Sequence, residues 1–324
     1  MKESTARKLD TAESAWYSLL YLNAKDMPIP ERLFTNSNLT GLSLQMCELD
    51  ELPENFGEMK GLERLILNRN RLSTLPETFA ELQKLESLDL IENQFSVFPE
   101  ALCKLENLRT LAMEDNTLRE LPLEFSQLQK LENMNFGQNR LTSFPEVLLS
   151  LSNLKFLDLS HNAIGSIPEG IANLKQLQEV VLENCALHSF PEPLSSLQHL
   201  TNLRLGQNPM SQITADLSAW KKLECLLLQE AELSDLPPSL GQLTELEILL
   251  LEQNKLKTLP DMSGLSKLYR LNLSHNCFEV FPASLCKLPE LGRLFFSHNA
   301  LREIPSAISE LATLRELDLS HNAL

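Results

Sequence analysis

The sequence predicts an α/β solenoid, a horseshoe with a parallel concave sheet and short helical or 3-10 convex segments, on three observations. A Leu-x-x-Leu-x-Leu tract returns every 23 residues, an asparagine follows it at a fixed distance, and a Leu-Pro pair follows the asparagine. A fixed period of this size marks a stack of one repeated unit, because no single unit encloses its own apolar side chains.

Leu62, Leu85, Leu108, Leu131, Leu154, Leu177, Leu200, Leu223 and Leu246 open successive units, and after one unit of 22 residues the series continues at Leu268, Leu291 and Leu314. Counted from Leu39 there are about 13 units, the last one truncated. Leu65 and Leu67 alternate with the strand period of two, so they point inward while Ile66 faces out. Phe79 and Leu82 are three residues apart, the spacing of a 3-10 or helical turn on the convex side. The alternating tract excludes a heptad or one long amphipathic helix.

The asparagine column comprises Asn70, Asn93, Asn116, Asn139, Asn162, Asn208, Asn254, Asn276, Asn299 and Asn322. Each stands where the chain turns off its strand, and a buried amide there serves backbone donors and acceptors of adjacent coils. Cys47 and Cys185 occupy the same position and read as structural thiols. Ala231 offers no polar side-chain group, so a loosened turn is expected there. Proline follows the turn leucine in nearly every unit, as at Pro76, Pro99 and Pro282, where its fixed φ and missing donor cost no ladder bond. Thr214 breaks that rule, the next unit lacks the asparagine and the one after is a residue short. Such a run of departures points to function or strain between about residues 200 and 267.

Residues 1–38 do not repeat and are expected to form an N-terminal helical cap, with 39–324 as the repeats. Leu9, Ala12, Trp16, Leu19 and Leu20 share one helical face, with Met27, Ile29, Leu33 and Phe34 behind it. The array stops mid-unit at Leu324, which predicts a bare last layer and a longer native chain.

A net charge of −16 and a pI of about 4.9 argue against nucleic acid and anionic membranes as partners. No apolar run is long enough for membrane insertion, and six scattered cysteines with none in the cap suit a reducing, cytoplasmic setting. His161, His275, His298 and His321 all precede the asparagine, and they read as surface residues of the repeat with no metal and no cofactor expected. No oriented base accompanies Cys225 or Cys277 and no Gly-rich phosphate loop is present, so an enzyme is not expected.

Function is sought on the concave strands, where residues line up in columns. Phe156, Val181, Arg204, Cys225, Leu227, Ile248, Leu250, Arg270, Arg293 and Phe295 are the candidate partner-binding residues: an apolar cluster in the irregular zone with arginine and aromatic neighbours, the composition of a protein-binding hot spot. Asp89, Glu92, Glu114 and Asp115 form a secondary acidic patch.

The unit LxxLxLxxNxLxxLPxxLxxLxx is the signature of leucine-rich repeats, which the chain resembles from Leu39 to Leu324. With 23 residues and Leu-Pro at its centre, it is similar to the intracellular Ras-group scaffolds, the Scribble- and Erbin-like arrays and bacterial arrays such as those of Leptospira. That resemblance implies a non-enzymatic scaffold or signal-transduction adaptor holding a protein partner on its concave face, with small GTPases and phosphatases among the partners. The alternative is the targeting part of a larger enzyme, a GTPase, a kinase or a ubiquitin-ligase effector, whose catalytic part lies beyond residue 324.

Overall fold

A computed structural model of the chain describes residues 16–18, 29, 31–34 and 38–324. The chain divides into two compact units, 1–162 and 163–324. The first carries β1 (Trp16–Ser18), β2 (Gly41–Ser43), β3 (Arg64–Ile66), β4 (Ser87–Asp89), β5 (Thr110–Ala112), β6 (Asn133–Asn135) and β7 (Phe156–Asp158). Each pairs parallel with its sequence neighbours, and the register sets like on like: Leu65 opposite Leu88, Leu88 opposite Leu111. Leu42, Leu88, Leu111, Met134 and Leu157 are 0 % exposed, and so are Leu44, Leu67, Leu90, Met113 and Phe136 two residues on. Burying such a side chain is worth about 1.5–3 kcal/mol, so each coil is held by the inward residues it shares with the next.

Proline sets the other side of each coil. In the first unit Pro53, Pro76, Pro99, Pro122 and Pro145 have φ between −64° and −71° and each opens a five-residue 3-10 helix, the first Glu54–Glu58 and the last Glu146–Ser150. Their φ is preset for that turn, and the absent N–H has no partner to lose there. Phenylalanines fill the space behind: Phe56 stacks on Phe79 at 5.8 Å and Phe98 meets Phe125 edge-on at 5.1 Å.

The second unit repeats the plan with β8 (Glu179–Val181), β9 (Asn202–Arg204), β10 (Cys225–Leu227), β11 (Ile248–Leu250), β12 (Arg270–Asn272), β13 (Arg293–Phe295) and β14 (Glu316–Asp318). Among the described residues, no 3-10 helix forms between β9 and β10 or between β11 and β12, the two irregular coils. In the first of them Thr214 stands where proline is usual, its hydroxyl donating to Glu192 Oε1 at 2.6 Å. Trp220, 0 % exposed, fills the layer, its indole N–H donating to the Leu194 carbonyl at 3.0 Å. In β14 the inward Leu317 is 40 % exposed, whereas Leu294 one coil earlier is 0 %.

The asparagines do what their position predicts. Asn93 Nδ2 donates to the carbonyls of Leu67 and Leu90, at 3.1 and 3.0 Å, while its Oδ1 accepts from Leu72 N at 3.1 Å. The residue before the column position is left-handed in every coil, from Met46 (φ 57°) through Arg69 and Glu92 to His321 (φ 55°). At the three positions without asparagine a second left-handed residue follows: Glu48 (φ 52°) after Cys47, Ala186 (φ 55°) after Cys185 and Glu232 (φ 59°) after Ala231. At these positions the column residue's own N–H is bonded to the next coil. Cys47, Cys185 and Ala231 then donate to the next coil's asparagine Oδ1, on Asn70, Asn208 and Asn254, at 2.9–3.1 Å. The expected loosening at Ala231 is therefore a bonded turn: Ala231 is 0 % exposed and its carbonyl accepts from Met210 N at 3.1 Å. The two cysteine thiols donate to Gln45 and Glu183 carbonyls, at 3.4 and 3.6 Å.

The expected cap helix is corrected at Trp16–Ser18, which is strand β1 against Gly41–Ser43. Trp and Tyr suit a strand, and the open edge of β2 supplies backbone partners that a helix would leave unsatisfied. Leu9, Ala12, Leu19, Leu20 and Met27 lie outside the described residues. Ile29, Leu33 and Phe34 are buried as expected, at 8 %, 3 % and 5 % exposure.

Candidate interaction surface

On strands β2 to β14 the central residue, leucine in all but Met134 of β6 and Val180 of β8, points inward and its two neighbours flank it on the open face. In the second unit the register places Cys225 beside Ile248 and Leu227 beside Leu250. All four are half-buried, so their outer faces meet solvent as one contiguous apolar patch on two adjacent strands. Asn272 and Arg270 continue the two rows on β12, then Phe295 and Arg293 on β13. The Arg270 guanidinium lies 5.6 Å from the Phe295 ring centre, a cation–π contact that holds both flat beside the patch.

Two of the three arginines on this face are engaged: Arg204 with Glu179 and Arg293 with Glu316, both at 3.4 Å. The Arg204–Glu179 pair runs diagonally beside Val181, which is 5 % exposed. Val181 is thus corrected: it packs under its neighbours instead of presenting a surface. Phe156 is half-buried on β7 in the first unit.

The acidic patch of the first unit is more tied down than its composition suggests. Glu92 bonds Arg69 Nε at 2.8 Å, and both Glu114 oxygens accept 2.8 Å bonds, from Asn135 Nδ2 and Gln138 Nε2. Burial pushes the Asp89 carboxyl above its usual value, and Asp115 is exposed. Burial likewise raises the Cys225 thiol, with Arg204 opposing the effect, so Cys225 is an apolar contact and not an activated nucleophile.

A second network, on the column just past the strands, was not visible in the sequence. Gln229 Nε2 donates to Glu183 Oε1 at 3.2 Å, two coils away. Gly206 lies between them, and a Cβ there would meet the Gln229 amide at 2.5 Å, so only glycine lets this side chain lie flat across the coil. Glu252 follows Gln229 in the column; burial raises its carboxyl above the usual range, with Arg270 pulling the other way. Glu252 Oε2 and Arg270 Nε are both buried and without a hydrogen-bond partner. Gly206, set between Glu183 and Gln229 in this column, was the available signal.

His275, His298 and His321 stack face to face with ring centres 4.1 Å apart. Parallel rings do not converge their nitrogens on one point, and among the described residues no group of three or more His, Cys, Asp or Glu side chains is arranged to hold a metal ion. No helix among the described residues is long and apolar enough to cross a membrane.

Stacked coils, a parallel ladder and an open side-chain-bearing face define a repeat-built array of the kind that recognises macromolecules by surface. Family models described as "Leucine-rich repeat region" and "Leucine rich repeat" match residues 92–212 and residues 37–95, 60–118 and 266–324. A leucine-rich repeat protein of Leptospira interrogans is 32 % identical, with a TM-score of 0.87 over 91 % of this chain and 75 % of that one. The chain belongs to the leucine-rich repeat family, whose domains generally mediate protein–protein interaction and are typically non-enzymatic. The Arabidopsis receptor kinase HAESA, solved in complex with the peptide hormone IDA and the co-receptor SERK1, is 29 % identical with a TM-score of 0.73; 89 % of this chain matches 55 % of that chain. Drosophila Toll, in a complex with Spatzle, is 26 % identical with a TM-score of 0.76, over 90 % of this chain and 40 % of that one. Comparison with the curated proteins gave no match.

Proposed function

We propose that the chain is a non-enzymatic protein-interaction module, a cytoplasmic scaffold or adaptor, whose open strand face in the second unit holds a protein partner. The observation that carries this reading is the contiguous patch of Cys225, Leu227, Ile248 and Leu250, in register on β10 and β11 and edged by Arg270, Arg293 and Phe295. Adjacent half-exposed apolar side chains beside arginine and an aromatic ring make a binding centre, because desolvating them on contact is favourable and the arginines fix orientation. Support for a protein as partner comes from the complexes named for HAESA and Toll. All six cysteines are free, as suits a reducing interior. Small GTPases and phosphatases, implied by the resemblance to intracellular scaffolds, are the first partners to try.

The test is the double variant Leu227→Glu/Leu250→Glu. Both side chains reach the open face, so circular dichroism should be unchanged while partners captured by the wild-type chain, identified by mass spectrometry, drop out. An unchanged set of captured proteins refutes the site. A second reading, the targeting part of a larger enzyme, draws on the neighbour HAESA being a receptor kinase. Reading the gene past the Leu324 codon separates the two, since a phosphate-binding loop or kinase motif there selects the enzyme.

A further inference from the structure

The open face of the second unit is electrically split. On the β10 and β11 coils the titratable groups beside the patch are acidic: Glu230, exposed and bonded by Gln207 Nε2 at 3.2 Å, and Glu252 with its unpartnered Oε2. On β12 stands Arg270, which makes no ion pair among the described residues and whose buried Nε has no acceptor, while Arg204 and Arg293 are both neutralised by glutamates. An orphaned donor and an orphaned acceptor at opposite margins of one apolar patch are costly until each is satisfied. Glu252 and Glu230 stand one and two strand spacings from Arg270 and about four residues further along the register, roughly 10–15 Å, which is three to five residues of extended chain.

Resting on the reading that this face docks a partner, we propose that the captured segment is extended and charge-split: a basic residue set on Glu230 and Glu252, apolar side chains on Leu227 and Leu250, and an acidic residue on Arg270. A uniformly acidic segment leaves Glu252 opposed by like charge, and a uniformly basic one does the same to Arg270. Each mismatch leaves one buried group unpaired, which is how such faces reject wrong partners.

Three labelled seven-residue peptides test this by fluorescence anisotropy: Gly-Lys-Leu-Ser-Leu-Glu-Gly, its doubly acidic form with Glu for Lys, and its doubly basic form with Lys for Glu. Salt near 0.15 M screens the general attraction of an acidic protein for basic peptides. The charge-split peptide is expected to bind about tenfold more tightly than either uniform one, the worth of one well-made charged contact. Arg270→Glu should transfer the preference to the doubly basic peptide, and Glu230→Lys/Glu252→Lys to the doubly acidic one. A preference that survives both reversals, equal binding of all three peptides, or no saturable binding up to about 1 mM, the weak end of specific recognition, overturns the proposal. Leu227→Glu/Leu250→Glu separates the two levels of failure. Binding lost in that variant but indifferent to charge in the wild type sinks only the charge-split partner, whereas binding that persists in it sinks the docking face as well.

Discussion

Asn208→Ala is the sharpest perturbation of the coil architecture. Asn208 is 0 % exposed; its Oδ1 accepts from Cys185 N at 2.9 Å and Leu187 N at 3.0 Å, and its Nδ2 donates to the carbonyls of Leu182, Leu205 and Gly206 at 2.7, 2.9 and 3.1 Å. Truncation leaves two buried backbone donors without acceptors, at about 1–3 kcal/mol each, so the loss is roughly 2–6 kcal/mol. Ala231 shows how an alanine survives in this column: Glu232 turns left-handed and the Ala231 carbonyl takes Met210 N. Position 208 cannot follow, because the next column residue, Ala231, has no Oδ1 to lend and the ring of Pro209 fixes φ near −65°. Pro209→Gly in the Asn208→Ala background should therefore recover nothing by itself, and about 1 kcal/mol, one hydrogen bond, once Ala231→Asn supplies an acceptor. Urea unfolding followed by Trp220 fluorescence reports the total, and amide exchange at Cys185 and Leu187 reports the local effect, since stacked coils open piecewise. A loss below about 1 kcal/mol, or full recovery from the glycine alone, would refute the account of these turns.

Three further outcomes are expected. His298 titrates below the usual histidine value, because of desolvation first and then the neighbouring His275 and His321, with Asp318 opposing. The unfolded chain then takes up that proton first as pH falls, so stability is full above about pH 6.5 and is lost as pH drops through the folded value. Proton NMR of His298 checks this, and a titration at or above 6.5 contradicts it. Ala186→Gly relieves an exposed left-handed alanine (φ 55°) and should stabilise by up to about 1 kcal/mol after the entropic cost of glycine, read from the urea midpoint; destabilisation would contradict that reading. Iodoacetamide at pH 8 should label exposed Cys277 quickly and spare Cys103, which is 2 % exposed and raised to about 11 by burial and by Glu124 and Glu100. Equal labelling of the native protein would count against that burial.

Much of the fold was legible in the sequence, because the repeat forces the same physical solution on each coil. Leu65, Leu88 and Leu111 announce strand and inward direction together, and Pro76 or Pro99 announces the 3-10 turn before it is seen. Where repetition stops, legibility stops. Trp16 lies outside the array, its helical spacing was read locally, and the edge of β2 decided otherwise. The second left-handed residue after Cys47, Cys185 and Ala231 follows from bonds to the next coil, which no single unit encodes. At the candidate surface, the columns located the apolar patch but could not show that the Glu179–Arg204 diagonal runs beside a buried Val181, or that Arg69, Asn135 and Gln138 occupy the acidic patch. Those are rotamer choices made between strands.

The borrowed amide at Asn70, Asn208 and Asn254 ties the chemistry of one coil to the identity of its successor. A bend that lacks its own carboxamide stands only if the following bend has one to lend, so two such bends in succession would leave the first without an acceptor. Cassettes cut from this chain are for that reason not interchangeable bricks: moving the coil of Cys185 or Ala231 in front of another asparagine-free coil should fail even with every leucine in place.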